Sequence, residues 1–124
     1  DATGANKALV RAFVEDVLME GGNSGAIDRY ISSDQYIQHN KDLADGLEPF
    51  KALALSEPRP LVYDEIVLLV GQGNFVATLC RARRDDTPCA QADLYRIEDG
   101  FIVEHWDAAE PIGPESEWAN SGKF

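Results

Sequence analysis

Residues 92–112 read ADLYRIEDGFIVEHWDAAEPI, and this segment is the clearest indication of how the chain folds. Its centre, Glu98-Asp99-Gly100, predicts a tight hairpin turn, because Asp-Gly supplies the positive φ angles that such a turn needs. On both sides apolar and polar residues alternate, which is the period of a strand with one buried face. The stretch therefore predicts an antiparallel hairpin with strands at Cys89–Ile97 and Phe101–Ala108.

Two further strands are predicted upstream of this hairpin. Leu61–Val70 is rich in branched residues and ends at the turn sequence Gly71-Gln72-Gly73-Asn74. Phe75–Arg83 follows as the next extended segment. Strands joined by such short turns pair as an antiparallel meander, so the second half of the chain predicts one continuous sheet.

The first half of the chain has a helical period instead. Apolar residues from Asn6 to Met19 recur at the i, i+3, i+4 spacing of an amphipathic helix, and Gly21-Gly22 ends it. The other predicted elements are a short helix capped by Asn23 or Ser24 and running to Tyr30, an extended piece at Tyr36–Asn40, and a helix at Leu47–Leu55. Helices followed by a meander define an α+β domain, which we expect to span residues 1–124, with a core at about 6–112 and an acidic surface tail at 113–124.

The charge of the chain limits the classes of partner that it can bind. It has 124 residues with 22 acidic and 11 basic side chains, a net charge of −11. Such a surface repels nucleic acid and anionic lipid, so neither is expected as a partner. The longest apolar run, Ile66–Val70, is too short to cross a bilayer. We expect a cytoplasmic protein, with export left open because the chain starts at Asp1 rather than Met.

The cysteines and the basic cluster have structural interpretations. Cys80 and Cys89 flank a predicted turn, so a cross-hairpin bridge is conceivable, but we expect two buried thiols. Two thiols and two histidines give no zinc-site spacing, and no metal is expected. The trio Arg81, Arg83 and Arg84 precedes two aspartates, which predicts a salt-bridged hairpin end rather than an anion site.

Candidate functional residues are polar groups on apolar strand faces. Asp93, Tyr95 and Ile97 point to the same side of one predicted strand. Burial there disfavours a charged carboxyl and suits a general acid or a neutral hydrogen-bond donor. The alternative is a structural carboxylate that a neighbouring hydroxyl or backbone N–H satisfies.

The last strand carries a second pair of polar groups. Strand alternation places Val103, His105 and Asp107 on one face, so that Asp107 can orient the imidazole of His105. The opposite face would carry Ile102, Glu104 and Trp106. Antiparallel pairing brings His105 and Asp107 beside the strand of Asp93.

The other histidine, His39, lies in the segment Tyr36-Ile37-Gln38-His39-Asn40, which has the composition of a pocket rim. A lone histidine is more often a surface residue or a hydrogen-bonded core residue, so this segment is weak evidence by itself. The chain contains no phosphate-binding loop, serine elbow or Cys-His pattern, so nucleophilic catalysis is not expected whereas acid–base chemistry is.

Taken together, these motifs resemble a known family. The hairpin at Ala92–Ile112, the segment Tyr36–Asn40 and the pair Asp45-Gly46 followed by Phe50 resemble SnoaL-like polyketide cyclases, which belong to the nuclear transport factor 2-like superfamily. The resemblance covers Asn6 to about Ile112. It implies a cone in which a curved mixed β-sheet is closed by three N-terminal helices around a pocket.

The family also implies a site without a cofactor or a metal. By similarity, Asp93 matches the buried acid of the isomerase and cyclase branches, and His39 lies near the position of the isomerase carboxylate base. Gln91 stands where epoxide hydrolases of this superfamily have an arginine, which argues against epoxide opening. We therefore predict Asp93, His39 and His105 as catalytic residues, with His39 as the base and His105 in an orienting role. Residues predicted to contact the substrate are Tyr36, Tyr95, Asp107, Phe13 and Val17.

The function predicted from this resemblance is cofactor-independent proton abstraction next to a carbonyl, of cyclase or isomerase type. The substrate would be a small, mostly apolar polyketide-like or steroid-like compound. The alternative is a small-ligand-binding or dimerisation module of the same fold without catalysis. We also expect a homodimer that pairs through the outer sheet faces, with Ile102 and Trp106 as apolar anchors.

Overall fold

A computed structural model describes all residues, Asp1–Phe124. Helix α1 spans Thr3–Phe13 and continues as one π-helical turn at Val14–Leu18. A 3₁₀ helix at Ser24–Arg29 and helix α2 at Leu47–Ala54 follow. The strands are β1 (Ile37–Gln38), β2 (Leu61–Gln72), β3 (Phe75–Arg84), β4 (Thr87–Glu98) and β5 (Phe101–Pro111), and a last 3₁₀ turn lies at Glu115–Glu117.

The five strands form one mixed sheet in the order β1-β5-β4-β3-β2. All pairs are antiparallel except β1 with β5, which is parallel. The sheet is curved and not closed, and the helices cover its concave face, so the predicted α+β architecture is confirmed. No helix in the structure is both long enough and apolar enough to cross a bilayer.

The core lies between the helices and the concave face of the sheet. The apolar stripe of α1 and its π-helical extension supplies Val10, Phe13, Val14 and Val17, all of them fully buried. They pack against inward-facing residues of β3 to β5, which include Val76, Tyr95, Ile97 and Ile102. The predicted helix period of residues 6–19 is therefore confirmed.

A β-bulge in β5 corrects one prediction. The register pairs Arg96 with Glu104 but Ile97 with Ile102, so Val103 is an extra residue on β5. The extra residue reverses the alternation, and Ile102 turns inward at 0% exposure. The prediction of Ile102 as an anchor on the outer face is thus wrong, whereas Trp106 lies beyond the bulge on the outer face as expected.

All three predicted turns of the meander are present, the first of them at Gly73-Asn74 between β2 and β3. Asp99 and Gly100 have φ angles of 52° and 81°, and Asp85 and Asp86 have φ angles of 49° and 66°. These positive angles match the two-residue turns that continue the twist of the flanking strands. The two cysteines are free and buried, in agreement with the prediction: Cys89 lies opposite Ala82 rather than opposite Cys80. Burial raises the pKa of the Cys80 thiol to about 12.

Candidate functional site

A buried hydrogen-bond network occupies the concave face where β1, β5 and β4 lie side by side. Its centre is His105, whose Nε2 lies 2.7 Å from Asp93 Oδ1. The other ring nitrogen, Nδ1, lies 2.8 Å from Gln38 Oε1. The parallel pairing of Gln38 with His105 in β1 and β5 brings these residues together, although they are far apart in the sequence.

Gln38 determines which nitrogen of His105 carries a fixed hydrogen. Its Oε1 also accepts the backbone N–H groups of His39 and Asn40, at 3.1 and 3.0 Å. Since this atom accepts from two backbone donors, the Nδ1 of His105 must donate to it. Within these contacts of His105, the only proton that can move from one partner to the other is therefore the one between His105 Nε2 and Asp93.

Asp93 is enclosed by protein donors. The hydroxyl of Tyr63 donates to Oδ2 at 2.7 Å, and Gln91 Nε2 donates to Oδ1 at 3.2 Å. The Asp93 side chain is fully buried, and it does not line a cavity. Burial and the charge of Asp93 hold the pKa of Tyr63 well above its usual range, so Tyr63 remains a donor. Asp93 thus holds the imidazole of His105 in place without itself lining a cavity.

Asp107 has an open carboxylate oxygen, that is, one that accepts no hydrogen bond from the protein. It lies directly opposite Asp93 on the neighbouring strand. Its Oδ2 accepts from Asn40 Nδ2 at 2.8 Å and from Gln91 Nε2 at 3.3 Å, whereas its Oδ1 has no hydrogen-bond partner in the protein. The predicted pairing of Asp107 with His105 is absent, because the imidazole turns across the strands to Asp93 instead.

A small chamber of about 230 Å³ opens in front of this network, between α2 and the sheet. Apolar side chains of the first half of the chain form one wall of this inner chamber: Leu18, Leu43, Phe50, Leu53 and Ala54. The polar residues that reach it include His105, Asp107, Tyr63 and Tyr95. Apolar walls with a few converging polar groups are typical of small-molecule sites.

Tyr95 presents an unpartnered hydroxyl within the lining of the inner chamber. The residue is 1% exposed, and its hydroxyl has no hydrogen-bond partner in the protein. Its ring stacks on the imidazole of His105 at 5.0 Å, and Phe13 contacts it edge-on at 5.8 Å. Burial, followed by the charge of Asp93, raises the pKa of Tyr95 well above its usual range. The hydroxyl therefore stays protonated, with a hydrogen that no protein acceptor takes.

A second, more open cavity of about 680 Å³ adjoins the inner chamber. This outer cleft shares Asn40, Asp42, Arg84 and Asp107 with it. His39 lies here rather than in the inner chamber, with its side chain 40% exposed. Its Nε2 contacts Glu104 at 2.7 Å, and its ring stacks on Trp106 at 4.7 Å. The structure therefore separates His39 from Asp93 and His105.

The remaining predicted contact residues lie behind the walls of the inner chamber. Phe13 and Val17 are fully buried in the core. Tyr36 packs edge-on against Phe50 at 6.1 Å, and its hydroxyl accepts from Gln38 Nε2 at 3.1 Å. These three residues shape the site without reaching it.

The network also has the composition of a cation site. One ligand atom each from Asp93, His105 and Asp107 lies within 4.8 Å of the others. Donors already occupy this space, however: Gln91 Nε2 lies between the two carboxylates, and His105 Nε2 contacts Asp93 directly. The arrangement is that of a hydrogen-bonded acid–base cluster.

Sequence reasoning missed four polar residues of the site. Gln38 and Asn40 lie in the segment Tyr36–Asn40, of which only Tyr36 and His39 are predicted from the sequence as site residues. Tyr63 precedes an irregularity in the register of β2, which hides its inward direction from simple alternation. Gln91 was considered only as a departure from the epoxide-hydrolase pattern, although its alternation with Asp93 places it on the same face.

Several solved structures superpose on this chain and share its fold. A protein provisionally named a polyketide cyclase from Acidithiobacillus ferrooxidans superposes with a TM-score of 0.67, at 16% identity over 85% of this chain and 87% of that one. A protein provisionally named a ketosteroid isomerase from Kribbella flavida gives 0.72, at 14% identity over 98% and 93%. A loop-truncation variant of IdmH gives 0.61, at 19% identity over 85% and 92%. No protein-family model and no curated protein matches the sequence.

These likenesses define the fold class. The chain has the nuclear transport factor 2-like fold that the sequence resemblance predicted. With identities below 20%, they establish the architecture and leave the activity to the chemistry of the site.

Proposed function

We propose that this protein catalyses proton transfer next to the carbonyl group of a small organic molecule, without a cofactor. One observation carries the proposal: an open carboxylate oxygen, on Asp107, and a buried hydroxyl without a protein partner, on Tyr95, belong to the same small apolar chamber. A base and a hydrogen-bond donor around one carbonyl compound are the two groups that enolisation requires.

Asp107 is the proposed base. Its Oδ1 takes the proton from the carbon next to the carbonyl, and the electron pair of that C–H bond forms the carbon–carbon double bond of an enolate. The two amide donors on Oδ2 hold the carboxylate in place. The proton then returns at another carbon, as in an isomerase. In a cyclase the enolate carbon instead attacks a second carbonyl, whose π electrons move to its oxygen, and the resulting alkoxide takes the proton back from Asp107.

Tyr95 is the proposed donor to the enolate oxygen. The pair of His105 and Asp93 acts on Tyr95 as a positioning unit, because the imidazole stacks on the Tyr95 ring and its two nitrogens are held by Asp93 and Gln38. This assignment replaces the expectation that Asp93 donates to the enolate, since both of its oxygens already accept from the protein.

The base predicted from the sequence, His39, has no part in this proposal. Its exposure, its contact with Glu104 and its stacking on Trp106 are consistent with a role on the surface. His105 stays as the alternative base, in which case its Nε2 would have to leave Asp93 before it could accept a proton from the substrate.

Hydrogen–deuterium exchange of phenylacetone in heavy water, followed by proton NMR, tests the proposal. The wild-type protein is expected to accelerate exchange of the benzylic protons. Asp107→Asn removes the base and is expected to abolish the acceleration, whereas Tyr95→Phe removes one donor and lowers the rate on the order of 10²-fold. His39→Gln is the matched control and leaves the rate unchanged.

The outcomes separate the candidate functions. Loss of exchange in His39→Gln, with retention in Asp107→Asn, would contradict the assignment of the base. Full retention in Asp107→Asn with loss in His105→Gln would identify His105 as the base. Binding of phenylacetone without any exchange in the wild type would favour the non-catalytic ligand-binding module.

We also propose that the protein is a homodimer. The outer face of the sheet carries two cross-strand rows of apolar residues, Leu68-Leu79-Ala92-Ala108 and Val70-Ala77-Leu94-Trp106. Leu68 and Val70 are 57% and 60% exposed. A self-complementary apolar face of this kind is typical of the isologous contact in a two-fold dimer.

A further inference from the structure

The inner chamber has two guanidinium groups in its lining, and neither has a carboxylate partner. Arg59 donates from Nη1 to the carbonyl of Val17 at 2.8 Å and to the Ser24 hydroxyl at 3.3 Å, which are both neutral groups. Arg84 makes no side-chain hydrogen bond and no ion pair within 4 Å. The expectation that Arg84 belongs to a salt-bridged hairpin end is therefore wrong.

Among the arginines of the meander, Arg84 is the one without a carboxylate partner. Acidic residues outnumber basic ones 22 to 11, and the other arginines of the meander have carboxylate partners. Arg81 pairs with Glu65 at 2.8 Å, Arg83 with Asp64 at 2.9 Å and Arg96 with Glu104 at 2.8 Å. Arg11 and Arg29 also lack a carboxylate partner, but neither lines the inner chamber, whereas Arg59 and Arg84 do.

The two arginines belong to the same end of the chamber. Arg84 ends β3 and pairs in register with Leu61, two residues after Arg59. Pro60 lies between Arg59 and Leu61, and its carbonyl accepts the backbone N–H of Asp85 at 2.7 Å. This hydrogen bond fixes the start of β2 against the β3–β4 turn. Arg59 and Arg84 therefore enter the lining of the chamber where β2 begins and β3 ends, and Nη1 of Arg59 extends from there to Val17 and Ser24.

From this we infer that the substrate is a monocarboxylate, whose carboxylate binds at Arg59 and Arg84 while its carbonyl group faces Tyr95 and Asp107. This inference rests on the proposed function and specifies its substrate class. Arginine recognises carboxylate with two parallel hydrogen bonds. Asp42 and Asp107 also line the chamber, and Asp85 lines the adjoining cleft, so a doubly charged phosphate is repelled more than a singly charged carboxylate.

The size of the inner chamber agrees with a small acid. Pockets for drug-sized ligands hold about 300–1,000 Å³, and this chamber holds about 230 Å³. A steroid skeleton would have to extend into the outer cleft. A keto acid with one aromatic or branched apolar group fits within the chamber.

Equilibrium binding of three matched probes tests the inference. Phenylpyruvate carries the carboxylate, its methyl ester lacks the charge, and phenylacetone lacks the carboxyl group altogether. Isothermal titration is expected to give about tenfold tighter binding for phenylpyruvate than for the ester, a preference that weakens as salt is added. Arg84→Gln and Arg59→Gln should each reduce this preference severalfold, and the double variant should abolish it.

Two controls keep the result interpretable. Arg81→Gln removes an arginine of the outer face that is paired with Glu65, and it should leave the preference unchanged. Thermal melts verify that the Arg59 variant is folded, because its guanidinium also holds the carbonyl of Val17; Arg84, which has no such contact, gives the decisive variant if Arg59→Gln unfolds.

The inference and the proposed function fail separately. Equal or tighter binding of the ester, no binding of phenylpyruvate, or an unchanged preference in Arg84→Gln would overturn the carboxylate site even if phenylacetone exchange is catalysed. An arginine-dependent preference for phenylpyruvate without any proton exchange would support the carboxylate site and refute the catalysis.

Discussion

Gln38 shows how one amide can set the chemistry of a histidine. Its Oε1 accepts from His105 Nδ1 and from two backbone N–H groups, so the imidazole is held with hydrogen on Nδ1. An isosteric apolar residue would leave the Nδ1 of His105 and the backbone N–H of Asn40 without this acceptor, at a cost of about 1–3 kcal/mol for each group that water cannot reach. The backbone N–H of His39 would keep its second acceptor, the carbonyl of His105 at 3.0 Å. Gln38, a residue of β1, thus determines the tautomer of His105.

We predict that Gln38→Leu lowers the free energy of unfolding by at least about 2 kcal/mol and releases the fixed tautomer of His105. Nitrogen-15 NMR of the imidazole reports the tautomer directly, and urea denaturation reports the stability. Gln38→Glu retains an acceptor and is expected to keep hydrogen on Nδ1. A wild-type spectrum with an unprotonated Nδ1 would contradict the assignment.

At the same scale, we expect Glu104 to make a pH-dependent contribution to the free energy of unfolding. Hydrogen bonds from His39 and Arg96 lower the pKa of Glu104 below its usual 4.5. The folded state therefore favours the ionised carboxylate, and the resulting stabilisation is present above the unfolded pKa. It is lost as the pH falls through the lowered pKa of the folded protein.

Glu104→Gln is accordingly expected to be less stable than the wild type near neutral pH, with a difference that shrinks below about pH 4. Urea denaturation over a pH series measures this difference. Glu65→Gln, at an exposed pair with Arg81, is the control and should show a much smaller effect. A difference that grows on acidification would refute this account of Glu104.

At the scale of elements, the bulge at Val103 has the largest effect on the sheet. It turns Ile102 into the core, where it also bridges to Ile31. The backbone of Ile102 exchanges hydrogen bonds with Tyr30 and Ser32, at 2.7 and 3.1 Å. The first residues of β5 are thereby connected to the segment after the 3₁₀ helix.

Ile102→Ala is predicted to destabilise the protein by about 2–5 kcal/mol, since it leaves a cavity in the core. Val70→Ala, at an exposed position of the outer face, should change stability by no more than about 0.5 kcal/mol in the monomer. Denaturant titrations of both variants at low protein concentration give the comparison. Similar small effects would mean that Ile102 lies on the outer face after all.

The elements were predictable where a local pattern determines them. The Asp99-Gly100 turn and the 3.6-residue period of α1 are such patterns, and the structure has both. The bulge was not predictable, because Val103 fits either face of a strand and nothing in the local sequence marks an extra residue there. One unmarked residue was enough to reverse the predicted direction of Ile102.

The same distinction applies to the site. The alternation of Asp93 and Tyr95 was readable from one strand, and so was the common face of His105 and Asp107. The partner of His105 was not, because two carboxylates are within reach on that face and the choice depends on the cross-strand geometry. The position of His39 depends on where β1 ends, which only the tertiary fold determines.

At the scale of the whole molecule, the outer face and the net charge oppose each other. The apolar rows favour association of two copies, whereas a charge of −11 on each copy disfavours it. Screening by salt weakens the repulsion without weakening the apolar contact. We therefore predict a dimer whose association constant rises with ionic strength.

Leu68→Glu adds a charge in the middle of the proposed interface and is expected to weaken dimerisation at least tenfold in sedimentation equilibrium. Leu55→Glu is the matched control: this leucine is 48% exposed, but it follows α2 on the opposite side of the sheet. A wild-type protein that sediments as a 13.6 kDa species at all concentrations would refute the dimer.

The parallel pairing of β1 with β5 has a consequence for the order in which the protein is built. Gln38 meets His105 only when the final strand of the meander is in place, because 67 positions of chain separate the two residues. Closing so long a loop is among the slower steps of folding. A polypeptide emerging from the ribosome can therefore form its first helix and the β2–β3 hairpin early, but it acquires its acid–base cluster only after β5 has been made. A nascent chain that has not reached β5 therefore lacks the proposed activity.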